Sequence, residues 1–281
     1  MDDDSPSPQA RGLDRRVLLA GGGAASLAAL FGASAQAQER GLSDYGVILM
    51  HGKGGGPGGI IASLAEHLRA QGARVDMPRM GWAGARGRPT AYAIPYEQAL
   101  QPIGGAIARM RAQGVRKIVL AGQSLGANAA IAWTVRHGAS GLAGVIALAP
   151  GHTPERFRRP EIQRARDEAR ALVAAGQGER RRLFPDVNVG QTFDVEATAR
   201  AWLSYFEPEG PANIPRNCAR MPAMPLLWVI GRQDILHALG SAYAFDRAPR
   251  HAKSRYVVVE ADHMETPDRA RGEVTAWLRA L

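Results

Sequence analysis

The stretch VLAGQSLGANAA, residues 119–130, decides the fold because its character changes at its centre. An apolar run leads into Gly122, Ser124 and Gly126, and small residues typical of a helix follow. Glycines on both sides of a serine let a strand and a helix approach each other closely around a sharp turn. We therefore predict a strand, a tight turn with Ser124 at its apex, and a helix over residues 125–137.

Short apolar runs recur on both sides of this unit, and stretches with helical spacing lie between them. The runs are rich in Val, Ile and Leu, which is typical of strands covered on both faces of a parallel sheet. They cover residues 45–52, 73–78, 116–123, 142–151, 225–231 and 254–262, and helices are predicted over 59–71, 95–113, 125–137, 238–247 and 267–280. This alternation predicts an α/β fold with a doubly wound, mostly parallel sheet.

One segment, residues 152–222, interrupts the alternation. It contains no obvious strand run, but it has amphipathic stretches at about 155–176 and 194–206. A structureless loop of this length would be unusual in a compact domain, so we predict a helical cap inserted over the edge of the sheet. We expect its aromatic residues to pack onto the sheet, with Trp202 and Tyr205 as candidates for shaping a pocket.

The first residues have the features of an export signal. Arg11, Arg15 and Arg16 precede an uncharged stretch, Val17 to Ala37, that ends in Ala-Gln-Ala. Paired arginines before a weakly apolar, Gly-rich segment are typical of the twin-arginine type. We predict a signal peptide over 1–37, a single domain over 38–281, a periplasmic or secreted protein and no stable membrane span after cleavage; an uncleaved anchor is the alternative.

The net positive charge of the chain favours some classes of binding partner over others. The chain has 35 Lys and Arg against 26 Asp and Glu, a formal net charge of +9, which favours anionic ligands. In the Arg-rich stretch at 155–170 the arginines alternate with acidic residues, so we predict a solvated helix face and no nucleic-acid partner. Cys218 is the single cysteine, which excludes an intramolecular disulfide.

Chemically active side chains follow the predicted strands at the edge where ligands of parallel sheets collect. Ser124 follows one strand, Asp234 follows WVIGRQ, and His263 lies in EADH after the last strand. A serine hydroxyl needs an imidazole to take its proton, and the imidazole needs a carboxylate to orient it. Glu260 and Asp262 are rival acids, ranked below Asp234.

This pattern resembles the α/β-hydrolases, in which G-x-S-x-G forms a nucleophile elbow and the triad runs Ser, Asp, His along the chain. The resemblance implies Ser124 as nucleophile, Asp234 as acid and His263 as base. It also implies an oxyanion hole made by the backbone N–H groups of Lys53 and Leu125, because Lys53 follows a His-Gly pair. The chain departs from the family by lacking the usual first antiparallel strands and by carrying a Gly-rich run after that pair.

Three further histidines, His51, His152 and His237, are candidate substrate-binding residues because each follows a strand. The Lys53 side chain is predicted to point into solvent, with contact to an anionic group of the substrate as the alternative. Gly54, Gly56 and Gly59 match a dinucleotide fingerprint, with Asp76 as its acid, but they begin too far beyond the strand. We therefore expect no cofactor, and the spacing of His, Cys and acidic residues predicts no metal site.

The resemblance implies an exported serine hydrolase that cleaves a small carboxylic ester through an acyl-enzyme on Ser124. The positive charge favours an anionic ester, and the export machinery is the expected partner of residues 1–37. Two alternatives remain open: an acyltransferase or thioesterase-like enzyme with the same triad, and a homologue that binds a ligand without turnover. The fold alone does not choose between them.

Overall fold

The computed structural model of the chain describes residues 41–281, so the predicted signal over 1–37 lies outside the described residues. In chain order, the strands are β1 (Tyr45–Met50), β2 (Arg74–Asp76), β3 (Gly84–Ala85), β4 (Arg88–Pro89), β5 (Ala91–Tyr92), β6 (Lys117–Ser124), β7 (Leu142–Pro150), β8 (Arg181–Asn188), β9 (Gln191–Thr198), β10 (Leu226–Gly231) and β11 (Arg255–Val259). The helices are α1 (Ala62–Ala70), α2 (Tyr96–Ala99), α3 (Gln101–Ala112), α4 (Leu125–His137), α5 (Pro160–Ala174), α6 (Ala199–Phe206), α7 (Ile214–Arg220), α8 (Thr266–Arg269) and α9 (Arg271–Ala280).

The central sheet has six strands in the order β11-β10-β7-β6-β1-β2, and every neighbouring pair is parallel. The predicted doubly wound α/β fold is therefore confirmed. The strand order changes direction between β1 and β6, and in open α/β sheets ligands bind at the carboxyl ends of the strands flanking such a point. Met50 and Ser124 end these two strands.

Successive side chains of the central strands point to opposite faces, and both faces are covered. Val47 and Leu49 pack with apolar residues of α1 and α9. Ile48 and Met50 face the other way, into a core shared with α3, α4 and the segment after β7. Because both faces are buried, these strands read as continuous apolar runs instead of alternating ones.

Three helix predictions need correction, and one of them, over 267–280, is divided at Ala270 into α8 and α9. The helix expected over 95–113 is divided at Leu100, and α3 begins with Pro102 in its first turn, where a missing N–H costs nothing. The segment 238–247 is three short 3-10 turns and not an α-helix, because Gly240 has a φ of +63° between the first two. Across residues 41–281, no helix combines the length and the apolar character needed to cross a membrane.

The inserted segment is not wholly helical, and the prediction of a helical cap is wrong for residues 181–198. Strands β8 and β9 form an antiparallel hairpin, here called the cap hairpin, and β9 also pairs with β5. In β9, Phe193, Val195 and Ala197 are buried while the residues between them are exposed, which is strand periodicity. Pro185 lies inside β8 and weakens its strand pattern in the sequence. The structure accommodates this proline because β8 is an edge strand.

The arginines of helix α5 are exposed except Arg166. This guanidinium is buried and donates hydrogen bonds to the carbonyls of Pro154, Phe157 and Phe206, at 2.7, 3.2 and 2.7 Å. The predicted solvated face is therefore wrong at this one position, because the side chain ties α5 to the end of α6. The aromatic residues of the insertion pack as expected, and Trp202 stacks between Phe184 and Phe206.

Candidate active site

Ser124 lies at a sharp turn between β6 and α4 with a φ of +56°. That region is uncommon for a residue with a side chain, and such strain of about 1–3 kcal/mol is found mostly at functional sites. The turn is possible because Gly122 packs directly against the backbone of Gly126, where any Cβ would overlap. Gly126 in turn lies against the carbonyls at the end of β1, so the serine is held at the carboxyl edge of the sheet.

His263 and Asp234 form a hydrogen-bonded pair in loops after β11 and β10. The distance from His263 Nδ1 to Asp234 Oδ2 is 2.6 Å, and the Asp234 side chain is completely buried. Asp234 Oδ1 accepts the Leu236 N–H at 2.8 Å, which fixes the carboxylate in place. Because a carboxylate accepts the Nδ1–H, His263 Nε2 is left with a free lone pair.

Gly151, at the end of β7, separates Ser124 from His263. A Cβ at this position would lie 2.7 Å from Ser124 Oγ and 3.2 Å from His263 Cε1, so the hydroxyl and the imidazole flank the same point. Within residues 41–281, no hydrogen bond yet joins Ser124 Oγ to His263. Catalytic hydrogen bonds are often long without substrate and tighten when it binds.

Gln123 and Gly151 belong to this site, and the sequence analysis missed both. Gln123 is buried beside Ser124, and its Nε2 donates to the His263 carbonyl at 3.3 Å, which links the two loops. The sequence signal for Gln123 was its place at the first variable position of G-x-S-x-G, directly before Ser124. Gly151 follows β7 in the sequence, but nothing local shows that it faces the side chains of Ser124 and His263.

The rival acids do not contact His263. Glu260 is exposed and pairs with Arg232 at 2.5 Å. Asp262 Oδ1 accepts the N–H groups of Met264 and Glu265, both at 2.8 Å, and thereby shapes the loop that carries His263. Asp234 is the acid that the structure brings to this histidine.

The backbone N–H groups of Lys53 and Leu125 are available beside Ser124. A Cβ at Gly52 would lie 3.1 Å from Ser124 Cβ, so the loop before Lys53 packs directly against the serine. The Lys53 N–H has no acceptor within the described part of the chain. Leu125 is the first residue of α4, where N–H groups have no partner inside the helix and the helix dipole is positive.

A cavity of about 430 Å³ opens onto Ser124 and His263, and we call it the Ser124 cavity. Its floor is the Gly-rich run 52–56, and its apolar walls include Ile60, Ile61 and Phe193. Its roof comes from two hairpins, through Arg86 and Gly87 in the turn between β3 and β4 and through Asn188 and Val189 where β8 ends. The volume is that of a small-molecule site.

A sequence profile described as the alpha/beta hydrolase family matches residues 47–275. The chain belongs to this family. We therefore classify it as a hydrolase, and the matched residues include Ser124, Asp234 and His263. A search of the curated proteins finds no match.

Solved structures of other α/β-hydrolases share the fold at low sequence identity. The structure reported for LipS and LipT, two metagenome-derived lipolytic enzymes, matches with a TM-score of 0.59 and 17% identity, over 85% of this chain and 95% of that one. The monoacylglycerol lipase of Paleococcus ferrophilus matches with a TM-score of 0.58 and 19% identity, over 84% and 94%. DcsB in complex with its substrate analogue matches with a TM-score of 0.63 and 13% identity, over 84% and 90%.

The side chain of Lys53 in this hydrolase is buried, so its predicted solvent position is wrong. Its Nζ lies 2.6 Å from Asp186 Oδ1 and donates to the Val187 carbonyl at 2.9 Å. Burial lowers the pKa of Lys53, while the Asp186 carboxylate opposes that shift. Tyr92 donates to Asp186 Oδ2 at 2.8 Å, so both oxygens of the carboxylate have partners and the loop that carries Lys53 is joined to the cap hairpin.

His51 lines the Ser124 cavity, but both of its ring nitrogens are already used. Nε2 accepts the Met80 N–H at 3.1 Å, so Nδ1 carries the proton and bonds to the Gly52 carbonyl at 2.9 Å. Burial lowers the pKa of His51, which keeps the ring neutral. These hydrogen bonds shape the loop before Lys53, and the substrate-binding role of His51 stays a prediction.

The structure does not bring His152 or His237 to the Ser124 cavity. His152 is buried among aromatic rings, and its Nε2 donates to the Tyr205 carbonyl at 2.8 Å. His237 lies half-buried in a turn after β10. Trp202 and Tyr205 are also buried away from this cavity, in the core beneath the insertion.

In the region 41–281, no group of three or more His, Cys, Asp or Glu side chains could hold a metal ion. Asp76, the acid of the dinucleotide alternative, is paired with Arg109 at 2.8 Å. The glycines of that alternative instead line the Ser124 cavity.

Proposed function

We propose that this hydrolase cleaves a carboxylic ester through an acyl-enzyme formed on Ser124. The observation that carries the proposal is the hydrogen bond of 2.6 Å between His263 and the buried Asp234, beside a serine held on a strained turn. A serine hydroxyl is a weak nucleophile until an oriented imidazole takes its proton. The three side chains come from three separate loops, and packing alone does not require their meeting.

Each step follows from an atom at the site. His263 Nε2 takes the proton from Ser124 Oγ as Oγ bonds to the ester carbonyl carbon. The carbonyl oxygen becomes an oxyanion, and the N–H groups of Lys53 and Leu125 donate to it. When the C–O bond to the alcohol breaks, the imidazolium returns the proton to the leaving oxygen. Water then repeats the sequence on the acyl-enzyme and releases the acid and free Ser124.

Asp234 orients His263 and stabilises its protonated form during both halves of the cycle. Its buried carboxylate accepts only from Leu236 N–H and His263 among the described residues, so it is held in one position. Loss of the negative charge would favour the wrong tautomer, which in a related arrangement costs about 10⁴-fold in kcat.

Hydrolysis of p-nitrophenyl hexanoate, followed by p-nitrophenolate release and by intact mass, tests the proposal. We expect turnover and a hexanoyl adduct on Ser124, with turnover lost in Ser124→Ala, His263→Ala and Asp234→Asn. Glu260→Gln is the matched control, because Glu260 is a carboxylate in the same region that contacts Arg232 and not His263. Turnover in Ser124→Ala, or loss in Glu260→Gln alone, would overturn the assignment.

The same assay separates the alternatives. Added methanol competes with water for the acyl-enzyme. A methyl ester as the main product at low alcohol concentration would identify an acyltransferase. Faster cleavage of the hexanoyl thioester than of the ester would identify a thioesterase. Binding of the ester with neither adduct nor turnover would identify a ligand-binding homologue.

We also propose that residues 1–37 direct export, so that the hydrolase works in the periplasm or outside the cell. The sequence supports this through Arg15-Arg16 before an uncharged stretch that ends in Ala-Gln-Ala. The export machinery would then be the partner of this segment.

A further inference from the structure

Two arginines stand at the entrance of the Ser124 cavity on a small hairpin that the proposed mechanism does not use. Strands β3 and β4 pair antiparallel, and the turn between them is Arg86-Gly87, with φ values of +52° and +75°. We call this the arginine hairpin. Arg86 and Arg88 both line the cavity, and both side chains are exposed. A left-handed φ at a residue other than glycine is a strained choice that persists where the surroundings enforce it.

The arginine hairpin is attached to the Gly-rich loop that carries Lys53. Gly84 N–H donates to the Gly55 carbonyl at 3.0 Å, and Gly54 packs directly against the backbone of Gly87 and Arg88. Asn188 Nδ2 in the cap hairpin donates to the Gly87 carbonyl at 2.8 Å, so the two turns meet over the cavity. The backbone that carries both guanidinium groups therefore contacts Gly54, the residue after Lys53.

These guanidinium groups have no acidic partner among residues 41–281, and no Asp or Glu lines the cavity. Five arginines of the inserted segment do pair with carboxylates, namely Arg159, Arg170, Arg181, Arg182 and Arg200. Arg88 instead lies over the Phe193 ring, 4.9 Å from its centroid. An aromatic face covers part of the cation without neutralising it, which leaves the charge available to an anion.

We propose that Arg86 and Arg88 bind an oxyanion group, a carboxylate or a phosphate, on the same molecule that carries the scissile ester. The planar guanidinium forks match the geometry of such groups and bind them by paired, charge-assisted hydrogen bonds. The apolar walls at Ile60, Ile61 and Phe193 would hold the hydrocarbon between the anion and the ester. This inference rests on the proposed ester hydrolysis and names its substrate class: esters with a second, anionic end.

A matched ester pair tests the inference. The substrates are p-nitrophenyl hydrogen suberate, which ends in a carboxylate, and its methyl ester, which has the same chain and no charge. We expect kcat/KM to be at least about tenfold higher for the anionic ester at low ionic strength, since charge-assisted hydrogen bonds from the guanidinium groups would hold its charged end. The ratio should fall roughly tenfold in the Arg86→Gln/Arg88→Gln double variant, and it should shrink as NaCl is added. A phosphonate analogue of equal length shows which oxyanion is preferred.

Arg116→Gln is the control. Arg116 is also exposed and unpaired among the described residues, but it precedes β6 at the opposite edge of the sheet. Its loss should leave the ratio unchanged. A wild-type ratio near one would overturn the inference. An equal fall in Arg116→Gln would also overturn it, because the preference would then come from the overall positive charge of the protein.

Binding separates failure of this inference from failure of the proposed function. The same two esters are titrated calorimetrically into Ser124→Ala protein, with and without the two arginine substitutions. Preferential binding of the anionic ester that disappears in the arginine variant supports the subsite even when the wild-type protein hydrolyses neither ester. Equal binding of both esters contradicts it, even when the neutral ester is turned over.

Discussion

The ammonium of Lys53 lies 2.6 Å from the carboxylate of Asp186, and both side chains are almost completely buried. Lys53 belongs to the Gly-rich loop that packs against Ser124, while Asp186 belongs to the cap hairpin, 133 residues later. The pair therefore joins the reaction centre to the roof of its cavity. Any movement of the cap hairpin acts on the backbone of Lys53 through this contact.

Asp186→Ala should destabilise the fold by about 3–5 kcal/mol, because removal of one partner leaves a buried charge uncompensated. Urea unfolding measures the change. The control is Glu196→Ala, which removes an exposed partner of Arg181 on the neighbouring strand and should cost at most about 1 kcal/mol. In Lys53→Met/Asp186→Leu, part of the stability should return. Equal effects of Asp186→Ala and Glu196→Ala would show that the buried pair does not couple the two elements.

Gly151→Ala should lower kcat about a hundredfold while the protein stays folded, because the new methyl group would lie 2.7 Å from Ser124 Oγ and 3.2 Å from His263 Cε1. Steady-state kinetics with circular dichroism checks both parts. Gly272→Ala is the matched control, since a Cβ there would meet no atom within 4 Å and alanine suits a helix. Normal kcat in Gly151→Ala would mean that Ser124 and His263 do not approach across this glycine.

His152 should make the protein sensitive to mild acid. Burial and the nearby Lys53 charge hold the pKa of His152 well below its usual 6.5, so the unfolded chain binds the proton first. Stability is therefore full above about pH 6.5 and falls below it, by up to about 1.4 kcal/mol per pH unit for this histidine.

Denaturant unfolding between pH 5 and 8 measures this slope. His51, whose pKa burial also lowers, adds a slope of the same sign. In His152→Gln the amide can still donate to the Tyr205 carbonyl but does not titrate, so the slope should decrease. An unchanged slope in this variant would assign the acid sensitivity to other groups.

Arg15→Lys/Arg16→Lys should retain the protein in the cytoplasm, because twin-arginine export depends on both guanidinium groups. Fractionation of cells expressing the full chain, followed by N-terminal sequencing of the exported form, measures the effect. Cleavage after Ala37 in the wild type and retention of the variant are the expected results. Export of the double-lysine variant would refute the assigned signal type, and an intact N-terminus in the membrane fraction would favour the anchor.

The sequence was informative where the structure depends on local pattern. Apolar runs and glycine positions predicted the six strands of the central sheet, and residues at strand ends predicted that Asp234 and His263 would meet. Parallel strands present their carboxyl ends at one edge, so chain order carries spatial information in this fold.

Long-range contacts were not predictable in this way. Nothing near Lys53 in the chain indicates that its partner is Asp186, and the solvent position was therefore the natural expectation for a lysine. The cap hairpin was missed because its turn, Val189-Gly190, lacks the usual Asn-Gly signal and places a β-branched residue at a φ of +45°. His152 and His237 follow strands as predicted, but packing turns one into the core and the other toward the surface.

The most direct test of the central claim is the reaction of the purified protein with a fluorophosphonate probe, followed by peptide mass mapping. The structure predicts a single adduct on Ser124, absent in Ser124→Ala and strongly slowed in His263→Ala, because Oγ needs the imidazole to become nucleophilic. A folded protein that shows no adduct at Ser124, or an equal rate of labelling in His263→Ala, would contradict an activated serine at this site.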